Sequence, residues 1–143
     1  MDYQLIDVTL KAVLADRLKR AEGFGQQLIG LIGAPVLPAG SGLWLPRCNA
    51  IHTFGLRFPI DVLFADVSWR VVRLLHTLPP LRICLPIRHA CHTIELPAGT
   101  LKHYEVEIGD LLAIQGPGAR LISRYLAFED EMKQEDGGEI SSQ

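Results

Sequence analysis

The sequence lacks a long apolar run free of helix breakers, a dense basic run and a paired set of cysteines, and only 7% of its residues are aromatic. Each scarcity removes a class of function. The uncharged stretch from Gly23 to Pro46 is broken by Gly30, Gly33, Pro35, Pro38, Gly40 and Gly42, a density that favours a buried helix followed by a loop over a membrane-spanning helix. The opening Met-Asp-Tyr is followed by neither a basic region nor an apolar one of leader length, so no secretory signal is read and a cytoplasmic, soluble protein is expected. Three cysteines, Cys48, Cys84 and Cys91, cannot all pair with one another, and buried free thiols are expected in a reducing compartment. Lysines and arginines are not interleaved with aromatics along any segment, which excludes a nucleic-acid footprint. A Gly-x-Ser-x-Gly elbow and a phosphate loop are also missing, and Gly116-Pro117-Gly118 reads as a turn.

What remains is a chain of 143 residues, 48% of them apolar. Folding at this length buries roughly two thirds of the surface of the unfolded chain, enough for one core. The formal charge of -2 is unevenly spread. Glu129 to Gln143 holds six acids against Lys133, a net of -5, which leaves +3 on the body. So acidic a segment, lacking apolar periodicity, cannot repay the entropy of ordering. The expected organisation is one globular domain over 1–128 with a disordered acidic tail over 129–143. The middle, from Arg47 to Lys102, is mildly basic and could meet an anionic ligand or partner.

In the first thirty residues two readings compete, since Leu10, Val13, Leu14, Arg17 and Leu18 suit an amphipathic helix and Gly23 to Ile32 also looks helical. From Leu43 the pattern changes to short β-rich runs: Leu43–Leu45, Ala50–Phe58, Ile60–Ala65, Arg70–Leu78, His92–Leu96, Leu111–Gln115 and Ala119–Phe128. Several short strands imply a sandwich or barrel. Pro59 removes a ladder donor and marks a corner between two strand pieces. Alternation places His52, Phe54, Leu56 and Phe58 on one face before it, and sets Ile60, Val62 and Phe64 against Asp61, Leu63 and Ala65 after it. Gly99 to Asp110 reads as a short helical turn closed by a tight Gly109-Asp110 loop.

The run Cys48-Asn49-Ala50-Ile51-His52-Thr53-Phe54-Gly55-Leu56-Arg57-Phe58-Pro59-Ile60-Asp61-Val62-Leu63-Phe64 resembles the signature of the family called domain of unknown function 192, small uncharacterised proteins of bacteria and archaea. Gly30-Leu31-Ile32-Gly33 upstream, and Glu95-Leu96-Pro97-Ala98-Gly99-Thr100 with Gly109-Asp110 downstream, agree with it in order and spacing. The resemblance implies a mainly-β (α+β) fold, a compact jelly-roll-like sandwich or barrel. With it come a strand over Ala12–Arg20, one N-terminal helix over Gly23–Ile32, and a short helical turn. It supplies no catalytic residue, cofactor or substrate, and through gene neighbourhood in some bacteria it hints at envelope or pilus assembly. This chain departs from the family pattern at Ala34, where arginine is usual, at Leu56, where methionine is usual, and at Val67-Ser68-Trp69, where an Asp-Gly turn is usual.

Four residues are candidates for a ligand site near the Pro59 corner: His52, Arg57, Asp61 and Glu95. Asp61 lies between Ile60 and Val62, where an unpaired carboxylate would be costly. It either faces a cleft or ties the bend together through Arg57, His52 or backbone amides. His52 reads as a core-edge histidine or a functional one, and Glu95 as half of an ion pair with Arg57 or Arg88, or as an acid-base group. Cys48, His52, Cys84, His89, Cys91 and His92 include zinc-type ligands but no matched pairs, so no metal and no cofactor are expected. Trp44 and Trp69 read as core or rim packing before ligand contacts. The preferred reading is a non-enzymatic accessory module that binds a small ligand or an envelope-assembly protein. The alternative is an acid-base enzyme acting on a small polar or sugar-like substrate, with Asp61 or Glu95 as base and His52 as acid. One outcome follows from composition alone: a chain ending near Glu129 should melt within about a degree or two of the full chain, because a solvated tail adds little to stability. A large drop in the truncated chain would show that the tail docks on the basic middle.

Overall fold

The computed structural model describes residues 2–21 and 36–116. The helix expected over Gly23–Ile32, the Gly30–Gly33 segment with Ala34, the strand expected over Ala119–Phe128 and the acidic tail lie outside the described residues. Nine strands and one helical turn are described: β1 (Tyr3–Asp7), β2 (Ala12–Arg20), β3 (Ser41–Pro46), β4 (Ile51–His52), β5 (Ile60–Ala65), β6 (Val71–Leu78), β7 (Ile83–Cys84), β8 (His92–Pro97), α1 (Thr100–His103) and β9 (Leu112–Gln115). The mainly-β expectation holds. Ala12–Arg20 is a strand, and the helical turn falls inside the segment read for it.

Seven strands form one curled sheet in the order β6-β5-β8-β3-β2-β1-β9, and β4 and β7 form a separate two-stranded ribbon. All neighbours are antiparallel except β2 and β3. A parallel pair needs a crossover of a dozen or more residues, and the chain between Arg20 and Ser41 is long enough to make one. The two edges of the sheet meet through an Arg70–Leu111 bridge, where Val71 N–H donates to Asp110 O at 2.9 Å and Leu112 N–H to Trp69 O at 2.9 Å. This seam turns the open sheet toward a barrel and leaves its edges less exposed to pairing with other chains.

Both faces are covered, which explains why every residue of β5 is buried. Leu63 and Ala65 join Leu5, Leu18, Val71, Ile94, Leu96 and Leu112 on the inner face. Ile60, Val62 and Phe64 face outward into a second cluster with Leu43, Leu45 and Ile51, beneath the β4–β7 ribbon. The alternation read from the sequence after Pro59 is therefore correct. Before Pro59 it is not, because the strand expected over Ala50–Phe58 stops at His52. Gly55 adopts φ +86° and Leu56 N–H donates back to Thr53 O, so the chain turns where alternation would have carried it on. Buried Thr53 holds that turn: its Oγ1 donates to Pro79 O and accepts from Arg82 N–H, both at 2.8 Å, while Phe54 is 44% exposed.

The seam carries a pair of acids. Asp7 is fully buried at the end of β1, its Oδ1 accepts Leu10 N–H at 2.9 Å, and its Oδ2 has no partner. Burial, and then the neighbouring Asp110 carboxyl, push its carboxyl up to about 7. Asp110, also buried, accepts Glu107 N–H at 3.1 Å. Protonation lets the Asp7 carboxyl donate and removes the orphaned oxygen, so the protonated form belongs to the folded state. A folded-state pKa raised above the unfolded value stabilises fully below the unfolded value, near 3.8, and that stabilisation is lost as pH rises through about 7. Wild type should therefore lose stability relative to Asp7→Asn between pH 5 and pH 8, measured as the difference in melting temperature at each pH. Taking the difference isolates Asp7 from His92, whose lowered pKa acts in the opposite direction. A difference that does not change with pH would refute the protonated pair.

Candidate functional site

Asp61 is the acid most completely used by the fold. It stands opposite a bulge in β6, where Ile60 pairs with Leu78 and Val62 with Leu75, so that His76 and Thr77 together face one residue. Thr77 has φ +49° and its N–H donates to Asp61 Oδ1 at 2.8 Å. The second oxygen, Oδ2, accepts Leu101 N–H at 3.0 Å, an amide of the first turn of α1 that no carbonyl of that short helix reaches. A fully buried carboxylate thus joins strand bulge to helical turn. Its donors are backbone amides, as one sequence reading allowed, but not those of the Pro59 corner.

Glu95 contrasts with it in the face it occupies and in its lack of donors among the described residues. On β8 it pairs with Leu43 and Val62 and shares their outward face, opposite to that of Asp61. Only 7% of it is exposed, and among the described residues neither Arg57 nor Arg88, both on the surface, forms the expected ion pair with it. Burial alone pushes its carboxyl up to about 7. It lines a pocket of about 400 Å³ whose walls are otherwise largely apolar: Leu45, Ile51 and Leu85, with Phe54, Cys48 and Cys84 around them. His52 lines the same pocket, exposed and 5.5 Å from the Phe54 ring. The structure brings two of the four candidates together, His52 and Glu95. Asp61 lies across the sheet and Arg57 is exposed in the following turn.

Of the thiols, Cys48 donates to Ala50 O at 2.9 Å, and burial raises the Cys84 thiol above its ordinary pKa. All three cysteines are free. Among the described residues no three His, Cys, Asp or Glu side chains gather closely enough to hold a metal ion. No helix among them is long and apolar enough to cross a membrane.

Residues 7–114 match the DUF192 family, described as "Uncharacterized ACR". The chain belongs to this family. It is 36% identical over 110 residues to a UPF0127 protein of Thermococcus sibiricus, covering 74% of this chain and 71% of that one. A UPF0127 protein of Pyrococcus abyssi is 39% identical over 102 residues, covering 70% and 82%. In architecture the chain is similar to a Novosphingobium aromaticivorans protein of unknown function, with TM-score 0.66 and 18% identity over 78% of this chain and 82% of that one. It is equally similar to a Sinorhizobium meliloti protein described as a proposed transcription regulator, with TM-score 0.65 and 21% identity over 78% and 90%. At those identities the likeness shows the fold alone.

The geometry of Asp61 fixes what its loss should do. Asp61→Ala leaves two buried amides without acceptors, at about 1 to 3 kcal/mol each. The melting temperature should fall on the order of 5 to 15 °C. Asp61→Asn keeps one acceptor oxygen and should lose less. Thermal unfolding of both beside wild type decides the matter, and an unchanged melt for Asp61→Ala would contradict the tie.

Proposed function

We propose that this protein is a non-enzymatic binding module whose pocket beneath the β4–β7 ribbon takes a small, largely apolar molecule with one cationic or hydrogen-bonding head. The observation that carries this reading is Glu95: a buried carboxyl without a partner among the described residues, at an apolar pocket of about 400 Å³. That volume lies within the range of small-molecule sites, and a few polar groups in an apolar lining are their usual composition. A carboxyl poised near neutrality gains most from a head that brings a charge or a donor to it, because pairing restores the interactions that burial removed. His52 and Phe54 supply a partly open rim.

Acid-base catalysis is the second reading, and what favours it is that His52 and Glu95 share the pocket. It would require the two to act on adjacent atoms of one substrate. Asp61, the other base considered, is fully committed to two amides on the opposite face and adds nothing to that chemistry.

Hexylamine, hexanol and hexanoate separate the head-group preferences at pH 8, where most of Glu95 is ionised. Hexylamine should raise the melting temperature saturably and more than hexanol, while hexanoate should not raise it. Glu95→Gln should weaken hexylamine by about tenfold or more and leave hexanol nearly unchanged. Equal responses to amine and carboxylate, or an unaltered response in Glu95→Gln, would overturn the reading.

A further inference from the structure

The inner face of the sheet opens at one end into a second cavity of about 290 Å³, lined by Tyr3 of β1, Arg20 of β2, Trp44 of β3, Trp69 of the β5–β6 hairpin and Leu112 of β9. Alternation along β3 separates it from the Glu95 pocket, since Trp44 packs with the inner cluster and its neighbours Leu43 and Leu45 with the outer one. We propose that this mouth is a distinct binding site for a small planar organic anion, an aromatic ring bearing a carboxylate.

Its walls are aromatic and mutually braced. Tyr3 meets Trp44 edge to face at 5.7 Å, Trp69 lies 5.5 Å from Trp44, and His92 stacks on Trp69 at 3.8 Å with 10° between the rings. The indole N–H of Trp44 donates to His92 Nδ1 at 3.3 Å, which puts the imidazole proton on Nε2 and keeps the ring neutral. Burial and the nearby Arg20 both lower the His92 pKa, in the same direction. Asp66, which also faces His92, is held at the hairpin by Ser68 and Arg70 amides, each at 2.9 Å from Oδ1.

Trp69 occupies the left-handed position of that hairpin, φ +64°, where glycine is the usual residue. A bulky side chain there is strained, and such strain persists where the surroundings over-determine it. The His92 stack does so here, fixing the indole plane at the cavity.

The cation in this wall is Arg20, whose guanidinium carbon lies 5.0 Å from the Trp44 ring centre. Among the described residues no carboxylate lies within ion-pair distance of it. Guanidinium matches a carboxylate bidentately, while flat aromatic walls accept a ring by offset or edge contact. A void of about 150 Å³ is enough for benzene, so this one has room for a fused ring and its carboxylate.

The chain has two tryptophans, and both line this cavity, so its two indole N–H signals report on the site without further assignment. Titration of the full 15N-labelled chain with 2-naphthoate should shift both signals saturably. The neutral 2-naphthamide, and 2-naphthoate with Arg20→Met, should each bind at least about tenfold more weakly. Absence of a saturable shift would overturn the proposal, including the case in which the chain's own residues fill the cavity. Equal affinity for naphthoate and naphthamide would overturn the anion assignment, and this comparison needs no variant to fold.

Discussion

The two hydrogen bonds of Asp61 are the constraint around which the rest is arranged. A carboxylate fully buried on a strand covered on both faces needs hydrogen-bond partners inside the fold. The solution combines two features that would each be incomplete alone. The β6 bulge turns Thr77 N–H out of the ladder, and the short α1 presents Leu101 N–H from its first turn. Leu101 is then fully buried among Leu96 and Val106, so one charge-assisted pair fixes a strand edge and the connection to β9 together. Networks of this kind hold well while complete and become costly once one member is removed.

A sheet covered on both sides gives each strand two addresses. β3 sends Trp44 inward and Leu43 and Leu45 outward, and β8 sends Ile94 and Leu96 inward and Glu95 outward. Two cavities, one largely apolar around an acid and one aromatic beside a cation, therefore sit on opposite faces of the same strands. A one-residue slip in the β3–β8 register would exchange the linings, which makes the pairing of Trp44 with Ile94 as important to both cavities as any residue within them.

How much of this was legible in the sequence depended on whether a feature was local. The runs at Ile60–Ala65, Arg70–Leu78 and His92–Leu96, and the turn inside Gly99–Asp110, follow from alternation and from Pro and Gly punctuation, and the structure has them within a residue or so. Tyr3–Asp7 and Ile83–Cys84 were too short or too mixed to stand out. Ala50–Phe58 failed because Thr53, a good strand former, uses its hydroxyl to hold a turn against Pro79 and Arg82, nearly thirty residues away. The same limit applied to the candidate site. His52 and Glu95 meet in one pocket only because the β4–β7 ribbon folds over β8, and alternation within one strand carries no information about that. The Trp44–Trp69–His92 cluster joins three separate segments, and only the unusual Val67-Ser68-Trp69 turn gave a local sign of it.

Three of the four buried acids among the described residues show how burial alone differs from a site. Asp61 has two backbone donors, one for each carboxylate oxygen. Asp7 has one donor and the neighbouring Asp110, and burial beside that acid raises its carboxyl toward the protonated form. Glu95 has neither a donor nor a proton-sharing neighbour among the described residues, yet it adjoins space large enough for a molecule. Leucine at that position would avoid the desolvation, so the carboxyl is kept at a cost to stability that the packing of β8 does not explain. Positions held at such a cost are where function concentrates. The acid that no residue in view satisfies is therefore the one to which a ligand is expected to contribute most.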